Sequence, residues 1–427
     1  MTKVVVIGLG HGGMMAASNL VGKVDELYAV ERNPYHQLLY KIHLVAAGLE
    51  ESSSIIIPIN EVLYEDSVKV VNGIADKVDL NNRIVYVNGD KVLRYDYLII
   101  AVGSRVEYYN VNGSDKYTLK LGSVKDAIAI NNSLRDLSKG STVTIVGGGA
   151  TGISLAGALT EAYCGYYKIR VIEALDNILV GWNKYIVDNA ERILEDDGVE
   201  IIKGKKVIEV RRGGLTLDDG TSLDSNLTVW TAGVKAGYID IVQDVKRNKQ
   251  GRIVVDKYSR IEGYDDAFAV GDVSAFNLGD GNTSPQSAQF AVRQAYQVAK
   301  NIVRLTKYGY MKPIVYNQSG HILSLGRRCI GVINNVPING ILCNYIEDFI
   351  TYNYINTIKS KGGNITTLAY EHDPLSTAIT FMNFITYISN RVTHELLYAM
   401  LDAVNNGKSL EKRPEGMFMT LCPCFRG

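Results

Sequence analysis

Two glycine-rich turns, and the carboxylates that follow them, are the residues of this chain best suited to chemistry. Gly8-Leu9-Gly10-His11-Gly12-Gly13 and Gly147-Gly148-Gly149-Ala150-Thr151-Gly152 both read G-x-G-x-x-G. The first follows Val4-Val5-Val6-Ile7 and the second follows Val143-Thr144-Ile145-Val146. In such a turn the first glycine makes the tight bend, the second lets backbone approach phosphate, and the third lets helix pack on strand. The helix N-terminus beyond it holds a pyrophosphate on unpaired N–H groups. An acid closes the next strand each time: Glu31 after Tyr28-Ala29-Val30, and Glu173 after Val171-Ile172. A carboxylate there accepts hydrogen bonds from adenosine ribose hydroxyls and repels a 2′-phosphate. Glu173 therefore favours NADH over NADPH; the competing reading of either glutamate is a solvated strand end. One such unit is a weak signal. Two in one chain imply two bound dinucleotides and electron traffic between them.

Parallel strands with helices between them must position these turns. The chain reads as α/β, with two Rossmann-like dinucleotide-binding domains, the second inserted in the first. Residues 1–115 form the first part of one unit, 116–261 the inserted unit, and 262–330 the return to the first. Residues 331–427 carry no nucleotide signature and read as a region for membrane or partner contact. In the inserted unit, strands are expected near residues 142–146, 169–173, 200–203 and 228–231. Residues 66–80 and 83–87 alternate like two antiparallel strands about the turn Asn81-Asn82. A buried strand ends at Gly103, and Ala267-Phe268-Ala269-Val270-Gly271-Asp272 marks the return.

At 427 residues the chain is long enough for two or three domains with a large core. Its formal net charge is zero, which removes the electrostatic case for nucleic acid. Cys164, Cys329, Cys343, Cys422 and Cys424 show neither zinc-site spacing nor a secreted disulfide framework. No metal is expected, and the compartment is expected to be reducing. No signal peptide fits, because the first strand starts at Lys3. No apolar stretch is long enough to span a bilayer.

The order of motifs is that of two-dinucleotide flavoproteins over roughly residues 1 to 330: glycine turn, Ala101-Val102-Gly103, second glycine turn, then Phe268-Ala269-Val270-Gly271-Asp272. Finer segments resemble type II NADH dehydrogenases. They are Val229-Trp230-Thr231-Ala232-Gly233-Val234, Ala288-Gln289-Phe290-Ala291-Val292-Arg293-Gln294, Tyr35-His36 with Val45-Ala46-Ala47-Gly48, and Ser324-Leu325-Gly326-Arg327. The resemblance implies a non-covalent FAD in the first unit and NADH in the inserted one. It implies a hydride passed from NADH to FAD, then electrons passed to a membrane quinone, without proton pumping. The enzyme would be a single subunit, peripheral on the cytoplasmic face of the cell membrane. Gly8, Gly10, His11, Gly12, Gly13, Glu31, Arg32, Ala75, Ala101, Val102, Gly103, Gly271, Asp272 and Ala288 would line the FAD site. Gly147, Gly149, Thr151, Gly152, Glu173, Ala232 and Gly233 would line the NADH site.

Within that frame Asp272 accepts from ribityl hydroxyls, a strand-end turn aspartate being the alternative. A helix expected from Ser284-Pro285 to about Val303 would aim its N-terminal dipole at the flavin pyrimidine edge and stabilise the reduced anion. Gln289 would offer its amide to a quinone carbonyl, and Gln294 would line the same approach. Lys41 would stand near flavin N5. A solvated glutamine and a surface lysine are the competing readings.

The chain also departs from this family. Gly152-Ile153-Ser154-Leu155-Ala156-Gly157 stands where many relatives read G-V-E-L-A-G, so Ser154 replaces a glutamate. Ala158 replaces a nearby acid, and His11 stands where Phe is frequent. The family glutamate's part in coupling nicotinamide binding to quinone reduction is therefore not carried over. His11 as a mere loop filler is the alternative to a cofactor role. Sulfide:quinone oxidoreductase shares the scaffold and stands as a second reading, but it needs cysteines beside the flavin. None of the five sits in such a context. A non-catalytic flavin- and nucleotide-binding scaffold is the third reading. A disulfide reductase would need a cysteine between residues 35 and 50, and there is none. Near the C-terminus, Ala378, Phe381, Met382, Ile385 and Ile388 share one helical face, and Leu396, Leu397, Met400, Leu401 and Val404 share another. These faces suit a bilayer interface; core packing or a homodimer contact explains them equally. Residues 417–425 are apolar too, with Cys422 and Cys424 too few for a metal site.

Overall fold

Val4, Val5, Val6 and Ile7 are buried, as a run of β-branched residues in a parallel strand covered on both faces must be. They belong to β1 (Lys3–Ile7), the centre of a five-stranded parallel sheet. In the computed structural model, which describes residues 1–360 and 383–391 apart from residues 65, 280 and 317–319, β1 lies between β2 (Glu26–Glu31) and β4 (Tyr97–Ile100). β3 (Lys69–Asn72) lies beyond β2, and β12 (Ala267–Ala269) beyond β4. The second sheet repeats this plan. β7 (Thr142–Val146) is its centre, between β8 (Lys168–Ile172) and β10 (Leu227–Trp230). β9 (Glu200–Ile202) lies beyond β8, and β6 (Leu119–Lys120) beyond β10. The second sheet is thus built between β4 and β12 of the first.

Two short strands carry the chain across and back. β5 (Ser104–Val106) leaves the first sheet and β11 (Val234–Ala236) returns from the second. They pair antiparallel, Ser104 opposite Ala236 and Val106 opposite Val234. Gly237 N also donates to Gly103 O at 2.8 Å.

Helices follow both glycine turns. All ten residues of α1 (His11–Leu20) are buried, and α1 packs along α3 (Ala288–Tyr308). The second turn opens α2 (Ala150–Tyr163), whose Gly157 lets Leu325 approach its backbone. After α3, strands β13 (Gly320–Leu325) and β14 (Arg328–Ile333) form a hairpin and lead to α4 (Gly340–Lys359).

Several local expectations need correction. The alternating residues 66–80 are two strands. β3 runs parallel to β2, and after a break at Gly73 the strand Ala75–Asp79 pairs antiparallel with Ile84–Val87. Period-two alternation does not say which sheet a strand joins. The helix expected from Ser284 begins at Ala288, capped by Ser287 Oγ accepting from Phe290 N. Ser284 is instead held extended, its N–H donating to Phe276 O and its own oxygens taken by Arg252. The cysteines also differ from expectation. Cys329 on β14 and Cys343 in the first turn of α4 are disulfide-bonded, with Cα atoms 5.5 Å apart. Spacing along the chain did not show that β14 and α4 meet there.

Of the apolar C-terminal faces, Ala378, Phe381, Met382, Leu396, Leu397, Met400, Leu401, Val404 and residues 417–425 lie outside the described residues. Residues 383–391 are helical and rest on α4. Phe384 meets Phe349 edge-on at 5.2 Å, and Arg391 pairs with Asp348 at 2.8 Å.

Candidate functional site

Sterics shape both turns for a phosphate. Gly8 (φ +88°) and Gly147 (φ +114°) occupy the left-handed region that favours glycine. A Cβ at Gly13 would overlap Gly8 O, and one at Gly152 would overlap Gly147 O. A Cβ at Gly10 or Gly149 would meet nothing within 4 Å. The outer glycines are closed by backbone, and the middle one faces open space. That is the cradle a pyrophosphate fills, with the first-turn N–H groups of α1 and α2 left without intrahelical acceptors.

The two glutamates are held alike. Glu31 Oε2 accepts from Leu9 N at 2.7 Å, and Oε1 accepts from Arg32 N and Asn33 N. Glu173 Oε2 accepts from Gly148 N at 2.6 Å, and Oε1 accepts from Leu175 N at 2.9 Å. Each carboxylate therefore locks its turn to its second strand. Oε2 of each carboxylate accepts a single bond, from Leu9 N or Gly148 N, and an oxygen has two lone pairs, which leaves room on Oε2 for a ribose hydroxyl. Arg32 is exposed beside Glu31, and Ala75 opens the strand Ala75–Asp79 that follows β3. Thr151 is exposed at the start of α2. Thr231 Oγ1, which the sequence did not single out as a site residue, donates to Val146 O and Gly147 O at 3.0 and 3.1 Å. It clamps the second turn from below.

The strand order decides where the far end of each dinucleotide must go. Its pyrophosphate crosses the glycine turn and its adenosine reaches the glutamate on the neighbouring strand. The other end must then pass over the strand on the opposite side. In the first sheet that is β4, followed by Ala101-Val102-Gly103. In the second it is β10, followed by Thr231-Ala232-Gly233. These two strand ends run directly into β5 and β11, which pair with each other. Both reactive ends therefore converge on one crossing.

Asp272 stands at that crossing. Ser104 Oγ, on β5, donates to its Oδ2 at 2.7 Å. Burial pushes its carboxyl up from the usual range, while the Ser104 hydrogen bond and the Arg252 charge pull it down. Gly271 before it has φ +71° and faces Ala291 of α3. Ala288 begins α3, half-buried, and the first turns of α3 pack on the Gly271–Asp272 turn at Ala291.

Three expectations change. Gln294 is fully buried and has no polar atom left for a substrate. Its Oε1 accepts from Gly271 N at 2.7 Å, and its Nε2 donates to Ser259 Oγ at 2.7 Å and Ser274 Oγ at 3.0 Å. It braces the Gly271–Asp272 turn instead. Lys41 is drawn to α4, its Nζ 3.6 Å from Asp348 Oδ1, so it is an ion-pairing lysine rather than a free cation. The His11 ring is buried among His36, Tyr40 and Tyr354, at 5.0, 5.6 and 5.3 Å between centroids. Among the described residues its Nε2 has no hydrogen-bond partner. Only the backbone N–H of His11, at the start of α1, is placed to meet a phosphate. Gln289 is half-buried in the first turn of α3 and accepts one long hydrogen bond, 3.4 Å, from Tyr316 Oη. Ser154 is buried within α2.

Gln294→Ala would strand the buried Gly271 N–H and remove the partner of the Ser259 hydroxyl, while Ser274 Oγ keeps its bond to Gly271 O. We expect a loss of about 3 kcal/mol in stability together with a lower content of bound flavin. Thermal unfolding and flavin absorbance check this; unchanged values would return Gln294 to the list of replaceable side chains.

Similar proteins agree with this architecture. The sequence profile described as pyridine nucleotide-disulphide oxidoreductase matches residues 2–295. The type II NADH:quinone oxidoreductase of Staphylococcus haemolyticus is 29% identical over 368 residues, covering 79% of this chain and 91% of that protein. Among solved structures, NDH2 of Plasmodium falciparum in complex with NADH superposes with a TM-score of 0.74 at 15% identity, covering 90% of this chain and 97% of that one. The sulfide:quinone oxidoreductase of Aquifex aeolicus gives 0.73 at 17% identity, covering 84% and 92%. At those identities the two structures show the shared fold.

Proposed function

Because the chain belongs to the pyridine nucleotide-disulphide oxidoreductase family, we propose that it is a type II NADH:quinone oxidoreductase, passing electrons from NADH through FAD to a membrane quinone without pumping protons. The observation that carries this reading is the convergence at the β5–β11 crossing. Gly103 and Gly233 bring the reactive ends of two dinucleotides to one place. FAD fits the first cradle, with Gly10 open to its pyrophosphate, Glu31 at its adenosine ribose and Asp272 at its ribityl chain. NADH fits the second, with Gly149 open and Glu173 disfavouring a 2′-phosphate. Bound FAD supplies the chemistry that accepts two electrons from a nicotinamide and passes them on.

The chain's own residues do the positioning. Thr231 and Glu173 hold the second turn rigid, so the nicotinamide end is directed over Ala232 and Gly233. Ser104 and Gln294 fix the Asp272 turn. The α3 N-terminus sets positive potential at the flavin, and Gln289 beside it can donate to a quinone oxygen. No disulfide-exchange step is assigned, since the loop after β2 has no cysteine. Nor does the sulfide reading gain support from Cys329 and Cys343, which are bonded to each other between β14 and α4.

We place the membrane side at α4 and the helix of residues 383–391, with the protein on the cytoplasmic face. Ile341, Leu342, Ile350, Tyr352 and Ile385 are exposed there, and such residues bind a bilayer interface through buried apolar area. Among the described residues no helix is long and apolar enough to cross a membrane. A homodimer contact is the competing use of the same face.

Anaerobic stopped-flow on the FAD-loaded protein tests the reaction. NADH should bleach the oxidised flavin band, and a quinone analogue should restore it. Bleaching by sulfide and not by NADH would move the chain to the sulfur-oxidising relatives, and bleaching by neither would leave a scaffold.

A further inference from the structure

Arg252 is 3% exposed, and among the described residues its side chain makes no salt bridge. Its Nε donates to Ser274 O at 2.9 Å, Nη1 to Ser284 O at 2.9 Å, and Nη2 to Ser284 Oγ at 2.8 Å. All three acceptors are neutral. Among the described residues no carboxylate lies within ion-pair distance of this guanidinium. A buried charge with no carboxylate in contact is costly; Asp272 acts on it only from beyond ion-pair distance, so the guanidinium keeps charge that a ligand at the site can use.

Its place in the fold suggests what. Ser274 follows Asp272 by two residues, and its hydroxyl joins the Gln294 network that fixes that turn. Ser284 precedes Ser287, the N-cap of α3, by three residues. The guanidinium therefore bridges the Asp272 turn and the lead-in to the α3 N-terminus. Asp272 is the acid that senses its charge. If hydrogen bonding alone mattered, any neutral donor of similar reach would serve.

We propose that Arg252 is an electrostatic positioning residue, a fixed cation that works with the α3 N-terminus to favour the reduced, negatively charged form of FAD. This rests on the reading that the first glycine turn binds FAD. The reduced cofactor carries one more negative charge than the oxidised one after taking up two electrons and one proton. A fixed cation in a water-poor site favours that state without reorganising. The same charge would make electron acceptance from NADH easier and delivery to quinone correspondingly less downhill.

The test is the flavin midpoint potential of the FAD-loaded protein, measured by anaerobic photoreduction against reference dyes, with neither NADH nor quinone present. Arg252→Gln keeps donors and removes the charge. It should lower the ratio of reduced to oxidised FAD affinity tenfold or more, about 30 mV for a two-electron couple. Arg252→Met runs beside it as a second neutral variant. Arg252→Lys keeps the charge with fewer donors and should stay within about twofold of the unaltered protein, roughly 9 mV on the same scale. Ser284→Ala withdraws one acceptor, leaves the charge in place, and should leave the potential unchanged. An unaltered potential in the neutral variants would overturn the proposal, as would equal shifts in the Lys, Gln and Ser284→Ala proteins. Failure of the unaltered protein to take up FAD would instead overturn the flavin reading.

Discussion

Gly152→Ala should abolish NADH-driven bleaching of the flavin while FAD stays bound. The added Cβ would overlap Gly147 O and lie 2.7 Å from Thr231 Oγ1. Neither neighbour can give way. Gly147 is already at φ +114°, and Thr231 Oγ1 is held by Val146 O and Gly147 O. The turn must open to admit the methyl group, and the pyrophosphate cradle opens with it. We expect at least a hundredfold loss of NADH affinity, about 2.7 kcal/mol. Gly149→Ala is the informative partner. A Cβ there meets nothing in the protein, so the turn should keep its stability while the phosphate loses its closest approach. Both variants should weaken NADH, and only Gly152→Ala should also lower the melting temperature. Anaerobic NADH titration beside dithionite reduction measures this. NADH affinity within tenfold of the unaltered protein in both would remove the second turn from nucleotide binding.

Those turns were legible in the sequence because their requirement is local. A glycine is needed where a carbonyl five residues back, or a phosphate, leaves no room for a Cβ. Glu31 and Glu173 were legible for a related reason, since each closes the strand adjacent to its turn. The residues that were missed answer to distant partners. Ser104 meets Asp272 across 168 positions, and Arg252 meets Ser284 across 32. No spacing rule reports either. Gln294 was read as substrate-facing from its motif, and the structure turns it inward because Gly271 N needs a buried acceptor. Lys41 fails likewise, its charge being claimed by Asp348 on α4. Pattern marks which segment touches a ligand, but the hydrogen-bond balance of the folded chain decides which side chains in it are free to do so.

Acid should destabilise this protein well before its carboxylates are fully protonated, because three buried histidines stay neutral in the fold. Burial lowers His36 and His43 to about 4 and takes His11 well below its ordinary value, with the neighbouring His36 adding to the effect on His11 and Lys41 to that on His43. Hydrogen bonding fixes the His36 tautomer. Leu9 O can only accept, so Nδ1 carries the proton, and Nε2 accepts from Tyr354 Oη at 2.9 Å. A second proton on Nε2 would break that bond. In the unfolded chain each ring takes up a proton near pH 6.5. The unfolded state therefore binds more protons than the fold between pH 6.5 and about 4, and stability falls as pH falls through that window. Each ring contributes up to about 1.4 kcal/mol per pH unit. Asp272 and Glu347, pushed up by burial, act in the opposite sense and offset part of this slope. FAD should be released along with stability, since Leu9 lies inside the first glycine turn. His11→Phe isolates the effect. It removes the unpartnered Nε2 and puts an apolar ring among three aromatic neighbours. We expect a higher melting temperature at pH 5 than the unaltered protein shows, and a smaller gain at pH 7.5, where the lost proton linkage no longer contributes. Melting curves across pH 4.5 to 7.5 for both proteins decide it. Parallel curves would mean that His11 gains no proton on unfolding and that the acid loss arises elsewhere.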